Sequence, residues 1–159
     1  MIVLDSSALT ALAAGHPRLH RIVDAALHSP FQHLLVPVLC LAEAEIKDGG
    51  AAHALLALPA LEFEPLDAST AVVVATMVRD GYGGQDLAHA IAASLPTPVR
   101  PQQHLILTAR PDLYPPGVTA VDIDDPRLEQ WTPLQPRHPG GRGVTDRLDP
   151  GRRTARPAR

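Results

Sequence analysis

The sequence predicts an α/β domain, a three-layer α/β/α architecture in which helices cover both faces of a central, mainly parallel sheet. Short apolar stretches without alternation, such as "MIVLD" and "HLLVP", are typical of buried strands. Segments with helical periodicity separate these stretches, and strands that alternate with helices at this spacing indicate parallel pairing. Aromatic residues make up only 3% of the chain, so the predicted core consists of Ala, Leu and Val.

The first elements follow from apolar runs and their capping residues. "MIVLD" predicts a short strand, and "SSALTALAAG" predicts a helix with Ser6 or Ser7 as its N-cap and Gly15 at its end. "PRLHRIVDAALHS" predicts a second helix that starts at Pro17, and "HLLVP" a second strand. One face of this second helix is apolar and comprises Leu19, Ile22, Val23, Ala26 and Leu27.

The remaining elements alternate in the same way. Pro37 opens the helix "PVLCLAEAEIKDGG", a short helix "AAHALLAL" follows, and "LEFEPL" alternates like a half-exposed strand. "DASTAVVVATMVRDG" predicts a strongly apolar helix capped by Asp67 or Ser69, and the next helix begins at about Gln85. "HLILT" and "VTAVDI" predict the last two strands, joined by a turn through "ARPDLYPPG".

The chain divides into an acidic part and a basic part. Residues 1–132 carry 7 Lys and Arg against 15 Asp and Glu, whereas residues 133–159 carry 7 Arg against 2 Asp. We expect one domain over residues 1–125 and a disordered tail rich in Pro, Gly and Arg over residues 126–159. The arginines of the tail either hold a polyanion loosely or are simply solvated.

Several classes of protein are disfavoured. The single cysteine, Cys40, forms no disulfide framework, and no Cys/His spacing resembles a zinc site. There is no Gly-x-Ser-x-Gly element, and "GYGG" lacks the lysine of a phosphate-binding loop. No signal peptide is evident, and the nine-residue apolar run "LLVPVLCLA" is too short to span a bilayer. We therefore expect a soluble, cytoplasmic protein without a membrane partner.

Three acids stand where a strand or a loop meets a helix. Each has an ordinary explanation: Asp5 as a helix cap, Glu43 on a solvated face with Glu45 and Asp48, and Asp86 at a helix start that favours negative charge. Because ligands of parallel sheets bind beyond the carboxyl ends of the strands, the three can also converge at one edge. Clustered carboxylates repel one another unless a cation neutralises them, and such ligands suit Mg²⁺ or Mn²⁺.

The segments that carry these acids resemble the motifs of PIN domains, the nuclease fold of VapC-type toxins. "MIVLDSSAL" is similar to the opening motif, "VPVLCLAEAEI" to the second, which carries a glutamate, and "GYGGQDLAHAIAAS" to the third. These map to Asp5, Glu43 and Asp86. "LILTARPDLY" resembles the final strand and turn, and the likeness covers roughly residues 1–123 in the family's order.

Two positions depart from the family pattern. Where the final motif has its acid this chain has Arg110, and the nearest carboxylate is that of Asp112. In another register of the third motif, His89 stands where many members have an aspartate. Auxiliary roles are open to His89, as a hydrogen-bond partner of a ligand carboxylate or substrate, to Arg110, as a phosphate contact, and to Asp112. Thr108, at the end of a predicted strand, and Ser7, at the start of the first predicted helix, complete the auxiliary candidates.

The resemblance implies a metal-dependent endoribonuclease, the toxin of a type II toxin–antitoxin module. Asp5, Glu43 and Asp86 would hold Mg²⁺ or Mn²⁺, which would activate water and stabilise charge on the scissile phosphate of an RNA. The implied partners are a small antitoxin protein and a second copy of the chain in a homodimer. The alternative is a PIN-like module whose site has decayed and which binds RNA or protein without catalysis.

Overall fold

The computed structural model describes residues 1–29 and 32–130, and it contains a five-stranded sheet. The strands are β1 (Ile2–Leu4), β2 (Leu34–Pro37), β3 (Leu61–Glu64), β4 (Leu105–Thr108) and β5 (Ala120–Asp122). The helices are α1 (Ser6–Ala13), α2 (Pro17–Leu27), α3 (Val38–Lys47), α4 (Ala51–Leu56), α5 (Ala68–Arg79) and α6 (Gln85–Ser94). Two 3₁₀ turns span Pro111–Leu113 and Pro126–Gln130.

All strand pairs in the sheet are parallel, and the order is β3-β2-β1-β4-β5. The central strand β1 pairs on both sides, with Ile2 opposite Leu34 of β2 and Leu105 of β4. All three residues of β1 are buried, which explains why the strand is apolar without alternation. The predicted α/β fold class with a parallel sheet flanked by helices is therefore confirmed.

The strand order places a crevice next to the central strand. From β1 the chain first adds β2 and β3 on one side, and then returns to add β4 and β5 on the other. The two directions separate between β1 and β4, and at such a switch point the connections leave the sheet to opposite sides. The carboxyl ends of β1 and β4 are thus where a ligand of this fold is expected.

The first helix is capped by one of the three residues that the sequence offered. Asp5 is the N-cap of α1, and its Oδ1 accepts a hydrogen bond of 2.8 Å from the backbone N–H of Ala8, so the interpretation of Asp5 as a helix cap is confirmed. The alternative of Ser6 or Ser7 was wrong because the strand ends one residue earlier than predicted and both serines already belong to the helix. Asp67 caps α5 as predicted, and its Oδ1 accepts a hydrogen bond of 2.7 Å from the backbone N–H of Thr70.

The core lies around β1, β2 and β4, and it consists mainly of Leu, Ile, Val and Ala side chains. The predicted face of α2 is buried except Leu27, the last residue of the helix, which is 49% exposed. The apolar helix α5 buries only Val74 and leaves Val72 and Val73 exposed. The largest side chains that are almost fully buried include Leu4, Leu9, Leu12, Leu34, Leu55, Ile106 and Leu107.

The packed domain continues past residue 125, the predicted boundary. In the 3₁₀ turn Pro126–Gln130, Leu128 is buried and belongs to the hydrophobic core. Burial of a leucine contributes about 1.5–3 kcal/mol, which explains why the chain stays on the domain here. The prediction of disorder for the rest of the tail concerns residues 131–159, which lie outside the described residues.

Candidate functional site

The candidate site lies where β1 and β4 end side by side. Ser7, in the first turn of α1, joins the two strands. Its hydroxyl lies 3.2 Å from Oγ1 of Thr108, the last residue of β4, and it accepts a hydrogen bond of 2.8 Å from the N–H of Ala109. Thr108 is fully buried and also accepts a hydrogen bond of 3.0 Å from the N–H of Arg110. Ser7 and Thr108 therefore fix the backbone around the site.

Asp5 is a buried carboxylate with three donors from its own chain. Its side chain is only 4% exposed. Oδ1 accepts from the hydroxyl of Ser7 at 2.7 Å and from the N–H of Ala8 at 2.8 Å, and Oδ2 accepts from the hydroxyl of Tyr114 at 2.9 Å. A carboxylate has about four acceptor positions. One position on Oδ2 therefore remains for a further ligand.

Asp86 is joined to Asp5 through the neighbouring serine. Asp86 lies in the first turn of α6, and its Oδ2 accepts a hydrogen bond of 2.5 Å from the hydroxyl of the buried Ser6. Gly84, the N-cap of α6, makes room for this arrangement, since a Cβ there would lie 2.8 Å from Oδ1 of Asp86. Ser6 follows Asp5 directly, so the two acids belong to one cluster of hydrogen-bonding groups.

The negative charges of both carboxylates affect two further polar groups, Cys40 and Tyr114. The thiol of Cys40 donates to the carbonyl oxygen of Asp86 at 3.2 Å, and burial together with the charges of Asp5 and Asp86 raises its pKa well above the usual value. Burial raises the pKa of Tyr114 as well, and the adjacent Asp5 charge and hydrogen bond add to this effect. Both groups are therefore protonated at neutral pH, so they act as donors rather than as nucleophiles.

The predicted third acid pairs with a lysine. Glu43 is half-buried on α3, and its Oε1 forms an ion pair of 3.2 Å with Lys47 one turn further along the helix. Within residues 1–29 and 32–130, neither Asp5 nor Asp86 forms an ion pair with a lysine or arginine. In the same residues, no three His, Cys, Asp or Glu side chains are grouped so that they could hold a metal ion. The structure thus joins two of the three predicted acids through Ser6 and gives the third a lysine partner.

The predicted auxiliary residues of the last turn lie at the rim. Arg110 is exposed, and its side chain forms no ion pair in the part of the chain that the structure describes. Asp112 is exposed in the 3₁₀ turn Pro111–Leu113 and lines a groove next to Tyr114. These positions leave both charged side chains accessible from solvent.

The structure places His89 in a separate environment. Its ring is fully buried, Nδ1 accepts a weak hydrogen bond of 3.4 Å from the N–H of Leu39, and Nε2 has no partner among the described residues. His89 lines a cavity of about 250 Å³ together with Glu64 and Arg100. Burial lowers its pKa, and the charge of Glu64 opposes that shift only in part. His89 is therefore a neutral side chain in the interior, and it makes no hydrogen bond to Asp5 or to the other predicted acids of the described chain.

Sequence reasoning missed how Ser6, Cys40 and Tyr114 take part in this cluster. The pair of glycines before Asp86 was a visible signal, because a residue without Cβ next to an acid permits a close approach. The aromatic residue after the last strand fell within the closing motif, but its hydroxyl contact spans 109 positions of the chain. No local pattern could have indicated that contact.

Comparison with protein-family models and with curated proteins finds no match for this sequence. Among the described residues, none of the helices combines the length and the apolar character needed to cross a lipid bilayer. The fold and the geometry of the site are therefore the observations on which a functional proposal rests.

Proposed function

We propose that this protein is a metal-dependent endoribonuclease with a PIN-like site. The observation that carries the proposal is the pair of carboxylates of Asp5 and Asp86, joined through Ser6 at the switch point of the sheet. In the described chain this pair has no cationic partner. A buried negative charge without a counter-ion is unfavourable, so this position favours a bound cation.

The available ligand atoms fit a hard cation. One acceptor position on Oδ2 of Asp5 and the half-buried carboxylate of Asp86 are oxygen ligands, which Mg²⁺ and Mn²⁺ prefer. Mg²⁺ is commonly held by only one or two carboxylates plus water and substrate oxygens. Glu43, the third predicted ligand, is engaged by Lys47 in the structure, so the proposal uses two carboxylates and leaves the other positions to water and substrate oxygens. Bound here, the cation supplies the positive charge that activates water and stabilises a scissile phosphate.

Neighbouring side chains hold the two carboxylates in position. Tyr114 and Ser7 fix the carboxylate of Asp5 by donating to its two oxygens, and Ser6 fixes that of Asp86. In the proposed hydrolysis, the oxygen of water forms a new bond to phosphorus and the bond from phosphorus to one ribose oxygen breaks. That ribose oxygen leaves with a proton, so the products are a phosphate monoester and an alcohol.

RNA as substrate rests on the resemblance to PIN domains and on the exposed arginine near the site. The described domain is acidic overall, so the bound cation and Arg110 are the groups that attract phosphate. We extend the proposal to the toxin of a toxin–antitoxin module, with an antitoxin protein and a homodimer as its partners. These partners rest on the resemblance alone.

The test combines metal binding with RNA cleavage. Asp5→Asn is the sharpest variant, because asparagine retains helix-capping ability while it removes the charge and replaces one acceptor oxygen by an N–H donor. We expect wild-type protein to bind Mg²⁺ in calorimetry and to cut a long single-stranded RNA, and we expect both activities to be lost in Asp5→Asn and in Asp86→Asn. The exposed Asp24→Asn is the matched control and should behave as wild type.

A second candidate function is a non-catalytic RNA- or protein-binding module on the same fold. The observation in its favour is that three acceptor positions of Asp5 are already filled and that Glu43 pairs with Lys47. Wild-type protein that binds RNA with equal affinity in Mg²⁺ and in EDTA, and leaves it intact, would favour this candidate. Loss of calorimetric binding and cleavage in both acid variants would exclude it.

A further inference from the structure

A groove of about 620 Å³ lies beside Tyr114, and the hydrolysis described above does not use it. Its walls are the loop between α5 and α6, the first turn of α6 and the 3₁₀ turn after β4. Tyr114 belongs to both places, since it lines the groove and its hydroxyl donates to Asp5. A ligand in the groove therefore lies one side chain away from the candidate active site.

The loop of the groove presents an aromatic ring to solvent. Gly81 and Gly83 have left-handed backbone, with φ of 87° and 102°, and Tyr82 stands between them. A Cβ at Gly83 would lie 2.6 Å from Cδ2 of Leu87, so the glycine allows the loop to lie directly on α6. Tyr82 is 43% exposed in a chain with only five aromatic residues. The backbone conformation thus holds a flat apolar surface at the mouth of the groove.

The lining combines this surface with hydrogen-bond acceptors. Leu87 and the 44% exposed Leu113 add apolar area. Two carboxylates complete the lining: Asp80 pairs with Arg79 at 3.2 Å, whereas Asp112 has no cationic partner in residues 1–29 and 32–130. Ionised carboxylates accept hydrogen bonds and donate none. Such a groove repels phosphate but attracts a planar group that carries N–H donors on its edge.

We propose that this groove binds one nucleobase of a single-stranded RNA, with guanine preferred. The proposal rests on the proposed function, since it places the base beside the phosphodiester bond to be cut. Tyr82 stacks on the base, as aromatic side chains do in proteins that bind single strands. Guanine presents two adjacent N–H donors, N1–H and the N2 amino group, which match the two acceptor oxygens of Asp112. The phosphates remain outside the groove, towards Arg110.

The test uses four single-stranded RNAs of twelve nucleotides that are identical uridine tracts except for one central G, A, C or U. We expect wild-type protein in Mg²⁺ to cut the RNA with guanine most efficiently. Tyr82→Ala should lower kcat/KM for that RNA by about 5- to 100-fold through KM, as expected for loss of one stacked base, whereas Tyr82→Phe should retain it. Asp112→Asn should lose the preference for guanine, measured as the ratio of kcat/KM for the RNA with guanine to that for each of the other three RNAs. Asp24→Asn is the control for loss of a surface charge.

The outcomes separate this inference from the proposed function. Equal cleavage of all four RNAs, or a guanine preference that survives Tyr82→Ala and Asp112→Asn, would overturn the base site and leave the nuclease intact. A preference for another base would overturn the assignment to guanine. Wild-type protein that neither binds nor cuts any of the RNAs would overturn both proposals together.

Discussion

Replacing Tyr114 by phenylalanine removes one hydroxyl from the interior and leaves the ring in place. The hydroxyl donates a hydrogen bond of 2.9 Å to Oδ2 of Asp5, and both side chains are at least nine-tenths buried. A hydrogen bond to a charged group contributes about 1.5–3 kcal/mol. Because the apolar area of the ring is retained, we expect Tyr114→Phe to lower the free energy of unfolding by about that amount.

The assay is urea unfolding followed by far-ultraviolet circular dichroism, without added metal. The midpoint should fall while the denaturant dependence stays constant, since the surface exposed on unfolding is the same. For a chain of this size, the same loss corresponds to a decrease in Tm of about 2–4 °C per kcal/mol. Tyr82→Phe is the matched control, because Tyr82 is half-exposed and its substitution should change stability by less than about 0.5 kcal/mol.

A double-mutant cycle identifies the partner of the hydroxyl. In an Asp5→Ala background the hydroxyl has lost its acceptor, so Tyr114→Phe should cost at least about 1 kcal/mol less than in wild type. Equal costs in the two backgrounds would refute the assignment of Asp5 as the partner. A Tyr114→Phe protein as stable as wild type would show that this hydrogen bond contributes nothing to the fold.

Three further predictions concern the same region. The backbone conformation of Gly84 is accessible to alanine, so Gly84→Ala should change stability by less than about 1 kcal/mol. The added Cβ would displace the carboxylate of Asp86, so the Mg²⁺ affinity measured by calorimetry should fall. Cys40 should react with a thiol reagent only at the rate of unfolding, because burial raises its pKa; rapid labelling of native protein would contradict this. Burial lowers the pKa of His89 in the folded protein below the usual 6.5. As pH falls, His89 therefore becomes protonated in the unfolded chain before it does in the folded one, and the free energy of unfolding should decline below about pH 6.5. In urea titrations at several pH values His89→Gln should flatten this decline, and the exposed His20→Gln should not.

Local signals predicted the order and type of the elements well, because they depend on neighbouring residues. Apolar runs without alternation predicted β1 and β2, and Asp67 predicted the start of α5. The sequence left the cap of α1 among Asp5, Ser6 and Ser7, since all three have capping ability and only the end of the strand decides among them.

The composition of the site was less predictable, because it depends on contacts between distant positions. Nothing in the sequence indicates that Tyr114 reaches Asp5 or that Ser6 reaches Asp86. The pairing of Glu43 with Lys47 has helical spacing and could have been anticipated from the sequence. The extent to which α5 is buried could not be predicted either, because its apolar composition does not determine how many of its valines pack against the rest of the domain.

The position of β1 has a consequence for synthesis of the chain on the ribosome. Among the strands of this sheet β1 is made first, yet β4 on one of its sides and the hydroxyl that completes the cluster around Asp5 come more than 100 positions later. Until β4 emerges, the nascent chain carries a fully apolar strand with one open edge, which invites pairing with other chains. A truncated product that ends before β4 should therefore aggregate rather than accumulate as a folded fragment. The candidate site is therefore completed only after β4 and Tyr114 have been made.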